Sequence, residues 1–221
     1  SFHSQTTPQV TPPKPPVWEI AFYQPFVEAY PFSEGRAVIR VRNKYGYIDN
    51  TGRVVIEPQF DYARDFSDGM AWVSVNDKDG YINRAGLVVV KPQFENAFDF
   101  TEGLGQVDLG PTRAGYLDKT GRIVINARLN SATEFSEGLA AVSAGPRGKG
   151  PFNYIDQTGK IIITTQFTDA RPFSEGLAKV RIEPQFLFNF GYGFIDRTGR
   201  VVIPPEFDEV GEKFSEGLVQ V

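Results

Sequence analysis

Short apolar and aromatic runs alternate with glycine-closed turns along most of the chain, and one such pattern recurs. Residues 46–56 read Gly-Tyr-Ile-Asp-Asn-Thr-Gly-Arg-Val-Val-Ile, an aromatic-aliphatic pair and a β-branched run on either side of a turn. The pattern returns at residues 80–90, 115–125, 153–163 and 193–203. Each copy predicts two short strands joined by a turn whose closing glycine takes the left-handed conformation.

A second motif keeps the same phase. Phe26, Ala29, Phe32, Ser33, Glu34 and Gly35 recur as Phe60, Ala63, Phe66, Ser67, Asp68 and Gly69. The register continues through Phe94 to Gly103, through Leu129 to Gly138 with leucine in the first place, through Phe167 to Gly176, and through Phe207 to Gly217 with one extra residue. A further short strand follows each Ser-Glu-Gly turn, as at residues 139–142 and 177–180. The chain therefore reads as an all-β repeat protein of about six units, each about 34 to 41 residues long and containing at least three strands. Single units of this kind cannot bury their apolar faces alone, so they must stack. A closed, β-propeller-like ring is preferred, because both termini fall in the same half of the repeat and closure removes edge strands. An open β-solenoid is the alternative, and the missing hairpin before residue 17 argues for it.

Together these motifs make residues 17–221 resemble the bacterial WG-repeat family, whose units combine a Trp-Gly pair, Tyr-Ile-Asp, a turn, an aliphatic strand and Phe-Ser-Glu-Gly-Leu-Ala. The tryptophan position is held here by Tyr45, Asp79, Ala114, Phe152 and Tyr192, and Asn153 replaces the glycine in the fourth copy. The resemblance implies an interaction module of surface, envelope or multidomain proteins rather than a reaction. Residues 1–16 carry Pro8, Pro12, Pro13, Pro15 and Pro16 and read as an extended arm or linker ahead of a single repeat domain, residues 17–221. Ser1 and the lone methionine, Met70, suggest a fragment of a longer chain. An upstream signal, a lipid anchor or a cloning boundary would each account for this, and an extracytoplasmic setting is the expectation.

Composition narrows the chemistry. At 221 residues and 41% hydrophobic content the chain can build a substantial core, while a net charge of -4 argues against nucleic-acid binding. No apolar run approaches the ~20 residues of a membrane-spanning helix, so the domain itself is not expected to insert. There is no cysteine, and the one histidine, His3, lies in the arm, which removes Ser-His-Asp, Cys-His and multi-histidine metal sites. Residues 145–150, Gly-Pro-Arg-Gly-Lys-Gly, lack the spacing of a phosphate loop.

Two carboxylate series remain. Asp49, Asp118, Asp156 and Asp196, with Asn83 in the second copy, are expected to accept backbone amides in the hairpin turns. Glu34, Asp68, Glu102, Glu137, Glu175 and Glu216 are expected to be solvated, with convergence on a calcium ion the less favoured reading. No cofactor, metal or catalytic residue is assigned. The expected role is a non-catalytic scaffold that binds a protein, peptide or glycan, and the alternative is a carboxylate-dependent carbohydrate-active enzyme.

Only one segment of the repeat varies in length, the stretch from the Ser-Glu-Gly glycine to the next hairpin. It grows from Gly35–Gly46 to Gly176–Gly193, which places the added residues on one face. Its two longest versions carry Arg147 and Lys149, and then Phe186, Phe188, Phe190 and Tyr192, an aromatic row with period two. These six are the candidate partner-binding residues. Burial of the aromatics against a neighbouring repeat is the competing reading.

Overall fold

The computed structural model describes residues 28–111, 113–145, 150–182, 191–211, 213–214 and 216–219. Within them are five four-stranded antiparallel sheets, each a meander in sequence order. The first holds β1 (Glu28–Ser33), β2 (Arg36–Val41), β3 (Lys44–Asp49) and β4 (Val54–Phe60), and the second β5 (Tyr62–Ala63), β6 (Met70–Val75), β7 (Lys78–Asn83) and β8 (Val88–Phe94). The third holds β9 (Ala97–Thr101), β10 (Leu104–Gly110), β11 (Arg113–Asp118) and β12 (Ile123–Leu129), and the fourth β13 (Ser131–Ala132), β14 (Leu139–Ser143), β15 (Phe152–Asp156) and β16 (Ile161–Phe167). The fifth comprises β17 (Asp169–Ser174), β18 (Leu177–Ile182), β19 (Gly191–Asp196) and β20 (Val201–Phe207). A run of four-stranded sheets, one per repeat, is the organisation of β-propeller blades. Among the described residues no strand pairing joins one sheet to another, and no helix is long and apolar enough to cross a membrane.

Each sheet is built by three turns, two of them of fixed chemistry. The Ser-Glu-Gly turn between its first two strands puts both central residues in the left-handed region, as at Asp68 (φ 53°) and Gly69 (φ 80°), which is the twist a two-residue hairpin needs. The turn between third and fourth strands closes on a left-handed glycine, for instance Gly52 at φ 81°. Asp49 Oδ1 there accepts the N–H groups of Thr51 and Arg53 and the Thr51 hydroxyl. Asp118, Asp156 and Asp196 repeat this set, and Asn83 accepts the N–H groups of Ala85 and Leu87. The expected structural role of this series is therefore what the fold uses. The third turn, between the second and third strands, is the segment of variable length.

The core lies between sheets, as one cluster per junction. Its centre is an aromatic pair. Tyr47 packs on Phe66, Tyr81 on Phe100, Tyr116 on Phe135 and Tyr154 on Phe173, with ring centroids 4.8 to 4.9 Å apart. Each tyrosine hydroxyl donates to a carbonyl of the next sheet, those of Arg64, Phe98, Thr133 and Arg171, so a buried polar atom is satisfied and the spacing between sheets is fixed. Of the phenylalanines that open the second motif, Phe60 and Phe167 are buried while Phe94 is half-buried.

One expectation is made specific and another changes. Each unit has four strands, because the stretch before Ser-Glu-Gly is itself a short strand, interrupted by a bulge between Ala29 and Phe32 and reduced to two residues in β5 and β13. The bulge breaks the period-two pattern by which a strand is recognised. The Ser-Glu-Gly carboxylates, expected to be solvated, are instead bonded to the following sheet. Glu34 accepts the Gly69 N–H, Asp68 that of Gly103, Glu102 that of Gly138, Glu137 that of Gly176, and Glu175 that of Gly217. The preceding serine acts in parallel. Ser33, Ser67, Ser136 and Ser174 donate to the carbonyls of Phe66, Phe100, Phe173 and Phe214.

Candidate functional site

The two ends of the sheets differ in kind. One end carries the Ser-Glu-Gly and Asp-centred turns and is spent on holding sheets together. Arg84 and Lys119, at 2.7 and 2.6 Å from Glu34 and Asp68, add cations to it. Burial acts to raise both carboxyls, but the cation and the glycine N–H outweigh it and leave both below the usual carboxylate range. The other end carries the variable loops and the connectors between sheets. Lys44 pairs there with Asp61, which also accepts the Asn76 N–H, and Asn130 donates to the Gly145 carbonyl at 2.6 Å.

At this loop end the ladder across the first three strands varies among the sheets. Glu28 pairs with Arg40 and Arg40 with Tyr45 in the first sheet, and Tyr62, Ser74 and Asp79 occupy the same rungs in the second. Asn96, Asp108 and Ala114 follow in the third, with Asn96 Nδ2 donating to Asp108 at 2.7 Å. Ser131, Ser143 and Phe152 fill the fourth, and Asp169, Arg181 and Tyr192 fill the fifth. An acid-Arg-Tyr ladder thus stands in the first and fifth sheets only.

The third rung is the position where Tyr45, Asp79, Ala114, Phe152 and Tyr192 stand, followed by glycine in four of the five sheets. That glycine is required by close approach. A Cβ on Gly46 would lie 2.5 Å from the Ile56 carbonyl oxygen and 2.7 Å from the Pro58 nitrogen, and Gly80 and Gly193 are crowded the same way by Val90 and Ile203.

A family model described as WG containing repeat matches the chain in six segments, residues 26–45, 45–78, 80–110, 115–145, 154–183 and 192–221. The chain belongs to this family. The WG-repeat array is also similar in structure to BamB from Moraxella catarrhalis (TM-score 0.51, 13% identity, 86% of this chain and 66% of that chain). Hsv2 from Kluyveromyces lactis (TM-score 0.52, 9% identity, 84% and 66%) and a eukaryotic initiation factor (TM-score 0.54, 13% identity, 82% and 54%) are further neighbours. At these identities the likeness is one of fold, and the chain spans between 54% and 66% of the length of these three chains. No curated protein matches it in sequence.

Of the six candidate partner-binding residues, Arg147, Lys149, Phe186, Phe188 and Phe190 lie outside the described residues. Tyr192 is half-buried on the third rung of the fifth sheet, with Lys179 Nζ 4.3 Å from its ring centroid and the Arg181 guanidinium carbon 5.8 Å away. Lys179 is itself buried and donates to the Val210 carbonyl at 2.8 Å.

Two features of the WG-repeat array escaped the sequence reading. Tyr45, Tyr62 and Trp72 form a continuous aromatic group across the first junction, with centroids 5.2 and 5.3 Å apart and Tyr62 exposed. The available signal was Trp72, which stands where the other sheets have Val38, Gln106, Ala141 and Lys179. The second feature is Asp79, 8% exposed, whose Oδ2 accepts the Ala97 N–H at 3.0 Å. Burial raises its carboxyl, and the Ala97 N–H and Ser74 offset this only in part.

Proposed function

We propose that the WG-repeat array is a non-catalytic binding module that holds a protein, peptide or glycan partner on its loop end. The observation that carries this reading is the contrast between the two ends. The Ser-Glu-Gly and Asp turns repeat their bonds from sheet to sheet, while the loop-end ladders are of four kinds in five sheets, and a rigid scaffold with one variable edge is how recognition residues are commonly placed. Repeated-sheet folds of this kind are typical of interaction modules. Tyr45, Tyr62 and Trp72 supply apolar area with few rotatable bonds, the composition favoured at binding surfaces. In sequence, Arg147, Lys149, Phe186, Phe188 and Phe190 fall in the two longest versions of the variable segment, and Tyr192 stands on the third rung of the fifth sheet. Apart from Glu216, the carboxylates of both series are committed to backbone N–H groups, which speaks for a scaffold over the carbohydrate-enzyme alternative.

The test is a screen of peptide and glycan arrays with the whole chain, repeated with Tyr62→Ala, with Arg147→Ala, and with Asn50→Ala on the opposite end. Ligands lost with the first two and kept with the third support the reading. Ligands lost only with Asn50→Ala, or turnover of an arrayed glycan, would overturn it.

A further inference from the structure

Each four-stranded sheet has two edges, and an unpaired edge presents a row of backbone N–H and C=O groups that another extended chain can take up. Folded proteins blunt such edges with short strands, bulges, proline or charge. The first strands here use the first two devices. β5 and β13 are two residues long, and β1, β9 and β17 shift register against their neighbours.

The fourth strands are all seven residues long, and each shifts register against the third, so side-chain chemistry is what tells them apart. β4 carries Glu57 and Pro58, β8 carries Lys91 and Pro92, and β20 carries Pro204, Pro205 and Glu206. β12 lacks proline but has Arg128, and Arg113 of the adjacent strand donates to its Asn126 at 3.0 Å. β16 reads Ile-Ile-Ile-Thr-Thr-Gln-Phe, with neither proline nor charge and with strong strand formers throughout its first half. Ile161 and Ile162 are 52% and 46% exposed, and since adjacent residues point to opposite faces, the strand is open on both sides there. Val201 and Val202 of β20 are exposed in the same way, but Pro204 and Pro205 follow them. Among the described residues β16 pairs with β15 alone.

We propose that the edge of β16 facing away from β15 is a further binding site, which takes an extended, uncharged peptide segment of a partner protein as a fifth strand of the fourth sheet. The edge itself specifies the occupant. Donors and acceptors spaced along a strand are matched by the backbone of another strand, and these main-chain bonds supply the affinity. Ile161 and Ile162 add a preference for β-branched or aromatic side chains beside them, and β16 has no charge to pair with a charged segment. The site is separate from the loop-end ladders, which run across the first three strands, and it does not depend on the function proposed for them.

The probe is an end-blocked, fluorescein-labelled peptide of alternating threonine and valine, kept soluble by a polyethylene glycol tail and titrated into the whole chain by anisotropy. Its fully N-methylated counterpart keeps the side chains and loses the donors. Thr165→Pro gives β16 the residue that Pro58, Pro92 and Pro205 supply in the other sheets, and Ile162→Lys adds a charge at an exposed position. Val202→Lys in β20 and Tyr62→Ala at the loop end are the controls. The parent should bind the peptide and ignore its N-methylated form. Each β16 variant should raise the dissociation constant about tenfold or more, the loss expected from one or two main-chain bonds, and the controls should leave it unchanged. A parent that ignores the peptide overturns the proposal, as does binding that survives N-methylation, or that survives either β16 variant at the parent's urea midpoint. If Thr165→Pro lowers that midpoint, Ile162→Lys decides alone. Binding lost with either control would move the site elsewhere and overturn it as well. So would a parent that self-associates without binding peptide and is returned to a monomer by Ile162→Lys, since the occupant would then be a second copy.

Discussion

Glu137 accepts the Gly176 N–H with both carboxylate oxygens, at 3.1 Å each, while its own backbone sits at φ 54°. A non-glycine residue held left-handed costs about 1 to 2 kcal/mol. The bond to the next sheet offsets that cost and explains why an acidic residue recurs at a position where asparagine or glycine would be easier. Stability here is nearest-neighbour, one junction after another.

Removing that bond should therefore loosen one junction. Glu137→Ala is expected to cost about 1 kcal/mol in urea unfolding, because the Gly176 N–H loses its acceptor while the backbone strain stays. Glu137→Gln keeps an acceptor and should cost less than half of that. Equal losses for the two would mean that charge, and not the acceptor, holds the turn.

The aromatic pair should matter more. Phe173→Ala, at a site 1% exposed, is expected to cost about 3 to 5 kcal/mol. Tyr154→Phe keeps the ring but removes the 2.9 Å bond to the Arg171 carbonyl, for a loss of about 1 kcal/mol. Urea midpoints of the two variants check the order.

Gly46, on the third strand of the first sheet, is expected to tolerate nothing larger, although Asn153 stands at this position in the fourth. Gly46→Ala places a Cβ 2.5 Å from the Ile56 carbonyl oxygen, and backbone must move to admit it, at about 1 to 3 kcal/mol. Gly35→Ala meets nothing within 4 Å and is limited by its φ of 75° alone, so crystal structures of the two variants should show β4 displaced only in the first.

Two aspartates should respond to pH with opposite signs. The Asp156 carboxyl is lowered by the Thr158 hydroxyl and then by the Lys160 and Thr158 N–H groups. Its contribution is present above about pH 4, the ordinary value for aspartate, and is lost as pH falls through the lower folded value. Asp156→Asn should be slightly less stable than the parent at pH 7 and equal to it in strong acid. Asp79 is raised by burial, so ionisation opposes folding and the parent loses stability as pH climbs from about 4 through the raised value. Asp79→Asn keeps an acceptor for the Ala97 N–H and should gain on the parent over that same rise. Urea midpoints against pH give both curves.

The sequence by itself determined the repeat, its all-β class, the hairpin turns and the end that varies. Each of these is encoded locally, in a left-handed glycine, an Asp two residues from the amide it accepts, or a period-two run. The first strand was hidden because a bulge and, in two sheets, a length of two residues erase its alternation. The role of the Ser-Glu-Gly carboxylates was hidden for a different reason. Glu34 and Gly69, or Glu137 and Gly176, lie a whole repeat apart, so nothing near either residue shows that one answers the other. The same holds for Tyr45, Tyr62 and Trp72, which meet only when neighbouring sheets stack. Tertiary structure decided these contacts because side chains from separate repeats reach one another only after each sheet has formed.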